Sequence, residues 1–407
     1  MGVYGGLNIL KTGYITKVLT ELPDNTNLIG QSLCPMETSD LQKIVIDYVE
    51  STFGMTQPVA MNSASPLAPA KGMYQRTFKP AFWREKIRFD EEEILTLRQP
   101  GTEGKRWGKG QVQDAVQQLD SRLQTRIEWL IWQMFGGTIT INENGVSFAI
   151  NYNIAFSVQA ATSWATVASA DPLSDITNWV QKFRGTGIKA DTLYVNSIVD
   201  RYLLLNNKIR TLLRYQTGRK EDLVSAGQLK ELIGKQFSGL KYEVYTSGYH
   251  MRSSLTADAA SGQAVVNVQD GSQFVAGDVC RLLNTDTTNG HYQEEVTVLS
   301  VSSNAVTMTG NLTSTFYKGA RMDTFKPFIG DTLAFIMGKR GDGQPIANCV
   351  TTPSPYGATL LNPKPGKFGR SYDKSDEDPP HVDVLAGIYM LPRLNFIDNH
   401  IKCTVVF

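Results

Sequence analysis

A chain of 407 residues with 40 Lys and Arg against 39 Asp and Glu carries a formal charge of +1, so no global field draws nucleic acid to it and any DNA contact must come from a local patch. Its 41% hydrophobic and 19% charged composition excludes a disordered polymer, and no apolar run reaches the roughly 20 residues that span a bilayer. The four cysteines, Cys34, Cys280, Cys349 and Cys403, lack the CxxC or Cys/His spacing that holds zinc or iron and read as buried free thiols. The opening residues show no apolar stretch followed by a small-residue cleavage site, so no secretory signal is expected. At roughly 150 residues per domain, two or three cores are expected.

Residues 1–67 mix short apolar stretches with turn formers and predict an extended arm; the spacing of Leu41, Ile44, Val45 and Tyr48 predicts one short helix over 40–51. Residues 73–98 alternate, with Phe82, Arg84, Lys86 and Arg88 on one parity and Trp83, Glu85, Ile87 and Phe89 on the other, which predicts strands. QPGTEGKRWGKG at 99–110 holds five glycines or prolines and predicts a loop. Between Arg76 and Lys109 nine basic and six acidic side chains leave little apolar material, and a two-stranded ribbon is marginal alone in water. That ribbon is expected to dock on a partner that buries Phe82, Trp83 and Trp107.

Over 111–135, Val112, Ala115, Val116, Leu119, Leu123, Ile127, Leu130, Ile131 and Met134 recur by threes and fours, and Gly136-Gly137 ends the pattern. This predicts a long amphipathic helix that must lie against a sheet. TITIN at 138–142, the turn at Glu143-Asn144-Gly145 and the alternation of VSFAINYNIAFSV supply a hairpin. Asp171-Pro172 opens a helix with Leu173, Ile176, Trp179, Val180 and Phe183 on one face. TLYVNS predicts a strand, IVDRYLLLNN and SAGQLKELIGKQF helices, and KYEVYT a further strand. From Ser253 the composition shifts to small residues, Thr and Val with frequent turns and no helical period, which marks a small closed β domain inserted in the host fold. Beyond it come a strand at DTLAFIM, a glycine- and proline-rich stretch to DEDPP, and a terminal strand at IKCTVVF.

No chemistry emerges from this pass. His250, His291, His381 and His400 have no second ligand three or four residues away, and the glycine runs lack the phosphate-loop order. The acidic runs lack calcium-loop spacing, and Arg340-Gly341-Asp342 is a tripeptide that chance supplies. No acid-base or nucleophilic constellation is present, so neither catalysis nor a metal or cofactor is expected.

The stretch TFKPAFWREKIRFDEEEILTLRQPG, the helix through TRIEWLIWQMFGG into TITIN, the run DPLSDITNWVQKFRGTGIKADTLYVNSIVDRYLLLNN and the late DEDPPHVDVLAGIYMLPRLN follow one another in an order that resembles the Hong Kong 97 phage capsid fold, and more closely the major capsid protein family of phage lambda's protein E. The resemblance covers most of the chain except the insertion. It implies an α+β fold with an N-terminal arm (1–67), an E-loop (68–110), a peripheral domain with a long spine helix (111–171 and 376–407), an axial domain (172–251 and 326–375) and an inserted small β-barrel domain (252–325). The E-loop would touch a neighbouring subunit through Phe82, Trp83, Arg84, Lys86, Arg88, Arg98, Lys105, Arg106, Trp107 and Lys109. The insert would pack Val266, Phe274, Val296, Val298 and Val306 inside, with Gly277-Asp278 in a turn.

The implied role is a major capsid protein that assembles in the host cytoplasm into hexamers and pentamers of an icosahedral virion shell around double-stranded DNA, with weak non-specific DNA contact, no membrane and no Lys-Asn crosslink. No long charged helical segment precedes the arm, so scaffolding is expected as a separate protein, beside a portal and a decoration protein. An encapsulin-like cellular compartment shell shares nearly all these features, and a β-rich binding module or enzyme ranks third.

Overall fold

The computed structural model describes residues 12–22, 27–41, 43–49, 73–93, 102–143, 146–217, 225–237, 239–284, 292–341, 343–359, 362–374 and 376–407. The chain divides into two compact units, Met1–Tyr245 with Thr332–Phe407, and Thr246–Asp331.

The first unit holds two five-stranded sheets. In one, the strand His381–Leu394 pairs antiparallel with Lys367–Lys374, Ala347–Thr351 and Ala81–Phe89, and Ala347–Thr351 takes Met36–Thr38 as a parallel neighbour. Thirteen of the fourteen residues of His381–Leu394 are buried, so both of its faces are covered. The helix Thr102–Phe135 packs on this strand, and the helix Thr12–Glu21 lies along Lys367–Lys374. There Thr16 Oγ1 donates to Gly369 O at 2.9 Å, and a Cβ on Gly369 would stand 2.6 Å from Ile15, so only glycine admits the helix.

The second sheet runs in the order Phe156–Gln159, His400–Thr404, Leu333–Arg340, Ile188–Val195, Lys241–Val244. Its core joins Leu193, Val195 and Ile336 to Ile176, Trp179, Val199, Leu203, Leu229 and Ile233 from the helices beside it. Those helices start where their caps dictate. Asp171 accepts from Ser174 N ahead of Pro172–Val180, Asn196 from Val199 N ahead of Ser197–Leu205, and Ser225 with Gln228 forms a capping box ahead of Ala226–Gln236.

The second unit is a six-stranded sheet in the order Gly248–Ser254, Arg321–Pro327, Val279–Leu283, Gln293–Ser302, Ala305–Met308, Val265–Asn267. A bridge between Leu255 and Val268 joins the ends of its two edge strands. Val266, Phe274, Val296, Val298 and Val306 are all buried in its core with Leu282, Phe316 and Met322. At Gly271 a Cβ would meet Ser303 O at 2.1 Å, a close approach that only glycine allows, and Gly277 turns the chain at φ 91°, a left-handed conformation that favours glycine.

Several expectations are corrected. The 40–51 helix is the strand Ile44–Val49, paired with Met73–Phe78, because the β-branched run IVIDYV finds a strand partner that outweighs a weak helical spacing. The two-stranded ribbon therefore joins these segments, while Ala81–Phe89 belongs to the first sheet. The 99–110 loop is helical from Thr102, since propagation from a strong helix adds a hydrogen bond per residue and carries it through glycines that each cost about 1 kcal/mol. The turn-rich stretch before DEDPP holds the strands Ala347–Thr351, Ser354–Thr359, Asn362–Lys364 and Lys367–Lys374. Strand grouping changes with them: Phe156–Gln159 and His400–Thr404 join the sheet of Ile188–Val195, whereas Ala347–Thr351 and Lys367–Lys374 join that of His381–Leu394. The described arm residues between 12 and 41 fold back on their own chain rather than reaching away.

The second unit's core yields a direct test. Phe274→Ala, which empties a side chain only 2% exposed, should lower the stability of this unit by about 3–5 kcal/mol, read as earlier protease cleavage within 246–331 across a urea series.

Candidate functional site

Down one face of the long helix, Asp120, Gln124, Glu128 and Trp132 follow at four-residue spacing, and all are buried. Glu128 is fully enclosed. Its carboxylate accepts from Gly30 N at 2.7 Å, Gln31 N at 3.1 Å, Trp132 Nε1 at 2.8 Å and Tyr245 OH at 2.7 Å. Burial pushes its pKa up, and these four donors pull against that rise. Gln124 Nε2 donates to Asp120 at 2.6 Å, and Lys367 Nζ stands 2.9 Å from Asp120 Oδ1. One stripe thus fastens the arm helix Ile29–Leu33, the strand Lys367–Lys374 and Tyr245, which ends the first stretch of the unit, to a single helix. Trp132 carries this further, with its ring against Tyr194, Tyr245 and Phe335.

The strand Ala81–Phe89 presents its two parities to different surroundings. Trp83 and Trp129 flank the Arg126 guanidinium at 5.1 and 5.2 Å, and Arg122 grips Glu85 through two hydrogen bonds. On the opposite parity Phe82 stacks on Tyr389 at 3.9 Å and stays 42% exposed, while Lys86 and Arg88 reach the buried Asp383 at 2.5 and 3.4 Å. Burial would raise the Asp383 carboxyl, but the two cations overcome it and hold the group below its ordinary range. Arg84 is exposed on this same strand. Arg98 lies outside the described residues, as do the side chains of Lys105, Arg106, Trp107 and Lys109, whose backbone is helical. The five described contact candidates share one strand, yet Trp83 and Phe82 already stack within their own chain.

The sequence reading missed the Asp120–Trp132 stripe. Its signal was there, a polar residue every fourth position inside an apolar helix, but spacing alone does not tell a buried polar face from a solvated one.

In the second unit Asp323 sits between Arg252 at 2.9 Å and Arg321 at 2.9 Å, with Arg281 at 4.0 Å on the neighbouring strand. Histidines take ordinary parts. His400 is buried with its pKa lowered to about 4 and its Nε2 on Phe135 O, and His250 sets its ring edge-on to Phe325. Among the described residues no three His, Cys, Asp or Glu gather as a metal site, and no helix is long and apolar enough to cross a membrane.

Buried carboxylates thus brace sheets and helices beside large exposed side chains. The model of the family described as phage major capsid protein E matches residues 11–291, and the chain belongs to that family. It is a shell-forming capsid protein of the virion. Its fold is similar to a putative prophage capsid protein of Escherichia coli CFT073, with a TM-score of 0.53 at 13% identity over 97% of this chain and 99% of that one. It is similar as well to a phage-related protein of Bordetella bronchiseptica RB50, with a TM-score of 0.50 at 9% identity over 97% of each chain. No curated protein matches the chain.

Two predictions follow the geometry. A Cβ on Gly30 would fall 2.7 Å from Glu128 Oε1, so Gly30→Ala should cost about 2 kcal/mol or more in chemical denaturation, and Glu128→Ala, which strands the buried Gly30 N–H and the half-buried Gln31 N–H, a similar amount. Because Asp383 titrates below its unfolded value, the stability it confers is present above about pH 4 and lost as pH falls through the folded value. Asp383→Asn should therefore be less stable than wild type at neutral pH, and the difference should shrink on acidification; a constant difference down to pH ~2 would rule this out.

Proposed function

We propose that the chain builds an icosahedral shell of pentamers and hexamers around double-stranded DNA, in the arrangement of the Hong Kong 97 fold. The family match carries this reading, and it leaves a cellular compartment shell unsupported. In it, the long helix serves as the spine of the peripheral domain, together with the His381–Leu394 sheet. The sheet of Ile188–Val195 with its helices serves as the axial domain. The ribbon of Ile44–Val49 and Met73–Phe78 with the strand Ala81–Phe89 is the E-loop that lies on a neighbour, and Arg84 and Phe82 meet that neighbour. Thr246–Asp331 acts as an inserted small β-barrel module.

Exposure supports the assembly reading. Leu41 at 63%, Tyr215 at 87%, Phe407 at 64% and Phe82 at 42% are large apolar side chains left exposed in the first unit, and aromatic side chains of this kind anchor interfaces. Each contact between copies needs about 1,000 Å² or more, and shell closure makes many weak contacts strong collectively. Scaffolding, portal and decoration proteins are separate partners in this reading, and DNA is met weakly because the net charge is only +1.

Electron microscopy of the protein expressed with its genomic neighbours tests the proposal: shells or rings are expected, and a persistent monomer would refute it. Tyr215→Ala should cut the yield of shells at least several-fold while leaving the thermal unfolding midpoint within a few degrees of wild type. Trp83→Ala should lower both, because Trp83 packs on Arg126 of its own chain.

A further inference from the structure

Two thiols meet in the core of the first unit. Cys34 Sγ and Cys349 Sγ are 3.3 Å apart, neither is in a disulfide, and the residues are 1% and 0% exposed. Backbone on both sides holds them there. Cys34 N donates to Gly30 O at 3.0 Å as it closes the helix Ile29–Leu33, and Cys349 N donates to Pro35 O at 2.9 Å. From Met36 opposite Cys349 the two segments continue in parallel register to Thr38 opposite Thr351. A thiol is a weak donor and a weak acceptor, so this contact does little that two small apolar side chains would not do. Its distinguishing property is chemical: the sulfurs need approach only about 1 Å further to reach bonding distance.

We propose that Cys34 and Cys349 are a redox clip, thiols under reducing conditions and an intrachain disulfide once a small-molecule disulfide is the dominant thiol oxidant. One protein thiolate attacks a sulfur of the small-molecule disulfide and releases one small thiol, leaving a mixed disulfide. The second protein thiolate then displaces the other small thiol. Two protein thiols and one small disulfide become one protein disulfide and two small thiols, so two electrons and two protons pass to the oxidant. Burial pushes the Cys34 thiol well up, and exchange therefore proceeds when the arm segment opens locally rather than on the closed molecule. The bond joins positions 315 apart in sequence, clipping the segment that also carries the Glu128 contacts to the strand Ala347–Thr351. A link across so long a stretch constrains the unfolded chain and raises the unfolding midpoint.

The full-length chain is incubated with oxidised glutathione, its remaining thiols are alkylated in denaturant, and its peptides are mapped by mass. The expected result is one linkage, Cys34 to Cys349, in a monomeric chain, with Cys280 and Cys403 alkylated and the unfolding midpoint raised until dithiothreitol restores it. Cys349→Ala and, independently, Cys34→Ala should each lose the linkage and the upward shift. Four alkylated cysteines after prolonged oxidation, a linkage to Cys280 or Cys403, a link between chains, or an equal midpoint shift in either variant would overturn the proposal.

Discussion

A carboxylate in the middle of an apolar helix face is tolerated only if donors replace the water it loses, and Glu128 finds four of them on three separate pieces of chain. Two come from the backbone at Gly30 and Gln31, one from its own helix at Trp132 and one from Tyr245. The cost of burying the charge is thereby turned into positional specificity, because any displacement of the arm or of Tyr245 strands a buried group. Gly30 completes the constraint, since no other residue lets the backbone come so close. The helix Ile29–Leu33 is held to its own chain through these contacts.

The same device recurs along the sheets. Asp383 is gripped by Lys86 and Arg88, Asp323 by Arg252 and Arg321, and Asp120 by Lys367. In each case the acid is deeply buried; its cations come from the neighbouring strand for Asp383, from the neighbouring and its own strand for Asp323, and from Lys367–Lys374 for the helical Asp120. Pairing of this kind also fixes register: a slip of one residue along Ala81–Phe89 would turn Lys86 and Arg88 to the other face and leave Asp383 buried without a partner.

Much of the architecture was legible in the sequence wherever a periodic signal was long. The helix through Val112 and Met134, the paired strands Thr138–Glu143 and Val146–Asn151 and the capped helices at Asp171 and Ser225 were readable because local period and caps agree. Ile44–Val49 was misread because six residues carry too little periodicity to separate strand from helix, and its partner Met73–Phe78 is remote in sequence. The strands between Ala347 and Lys374 were hidden among glycines and prolines; Ala347–Thr351 and Lys367–Lys374 form by pairing with the buried His381–Leu394, and Ser354–Thr359 by pairing with Asn362–Lys364. The alternation of Ala81–Phe89 showed which side chains share a face, while the partners of each face, Tyr389 and Asp383 on one and Arg122 and Arg126 on the other, lie far along the chain.

By itself the sequence determined the element types of the strongly periodic segments, the change of composition that sets off the second unit, the absence of a legible catalytic motif and the family likeness, all of which follow from local propensity or from the order of segments. Only the tertiary structure decided which sheet each strand joins, that the described arm residues return to their own chain, and that Glu128 and the Cys34–Cys349 pair are buried in the first unit. The reason is that burial and pairing are properties of groups brought together from distant positions. A glutamate every fourth residue from a tryptophan reads the same on a solvated helix as on one whose face is closed by a glycine 98 residues away.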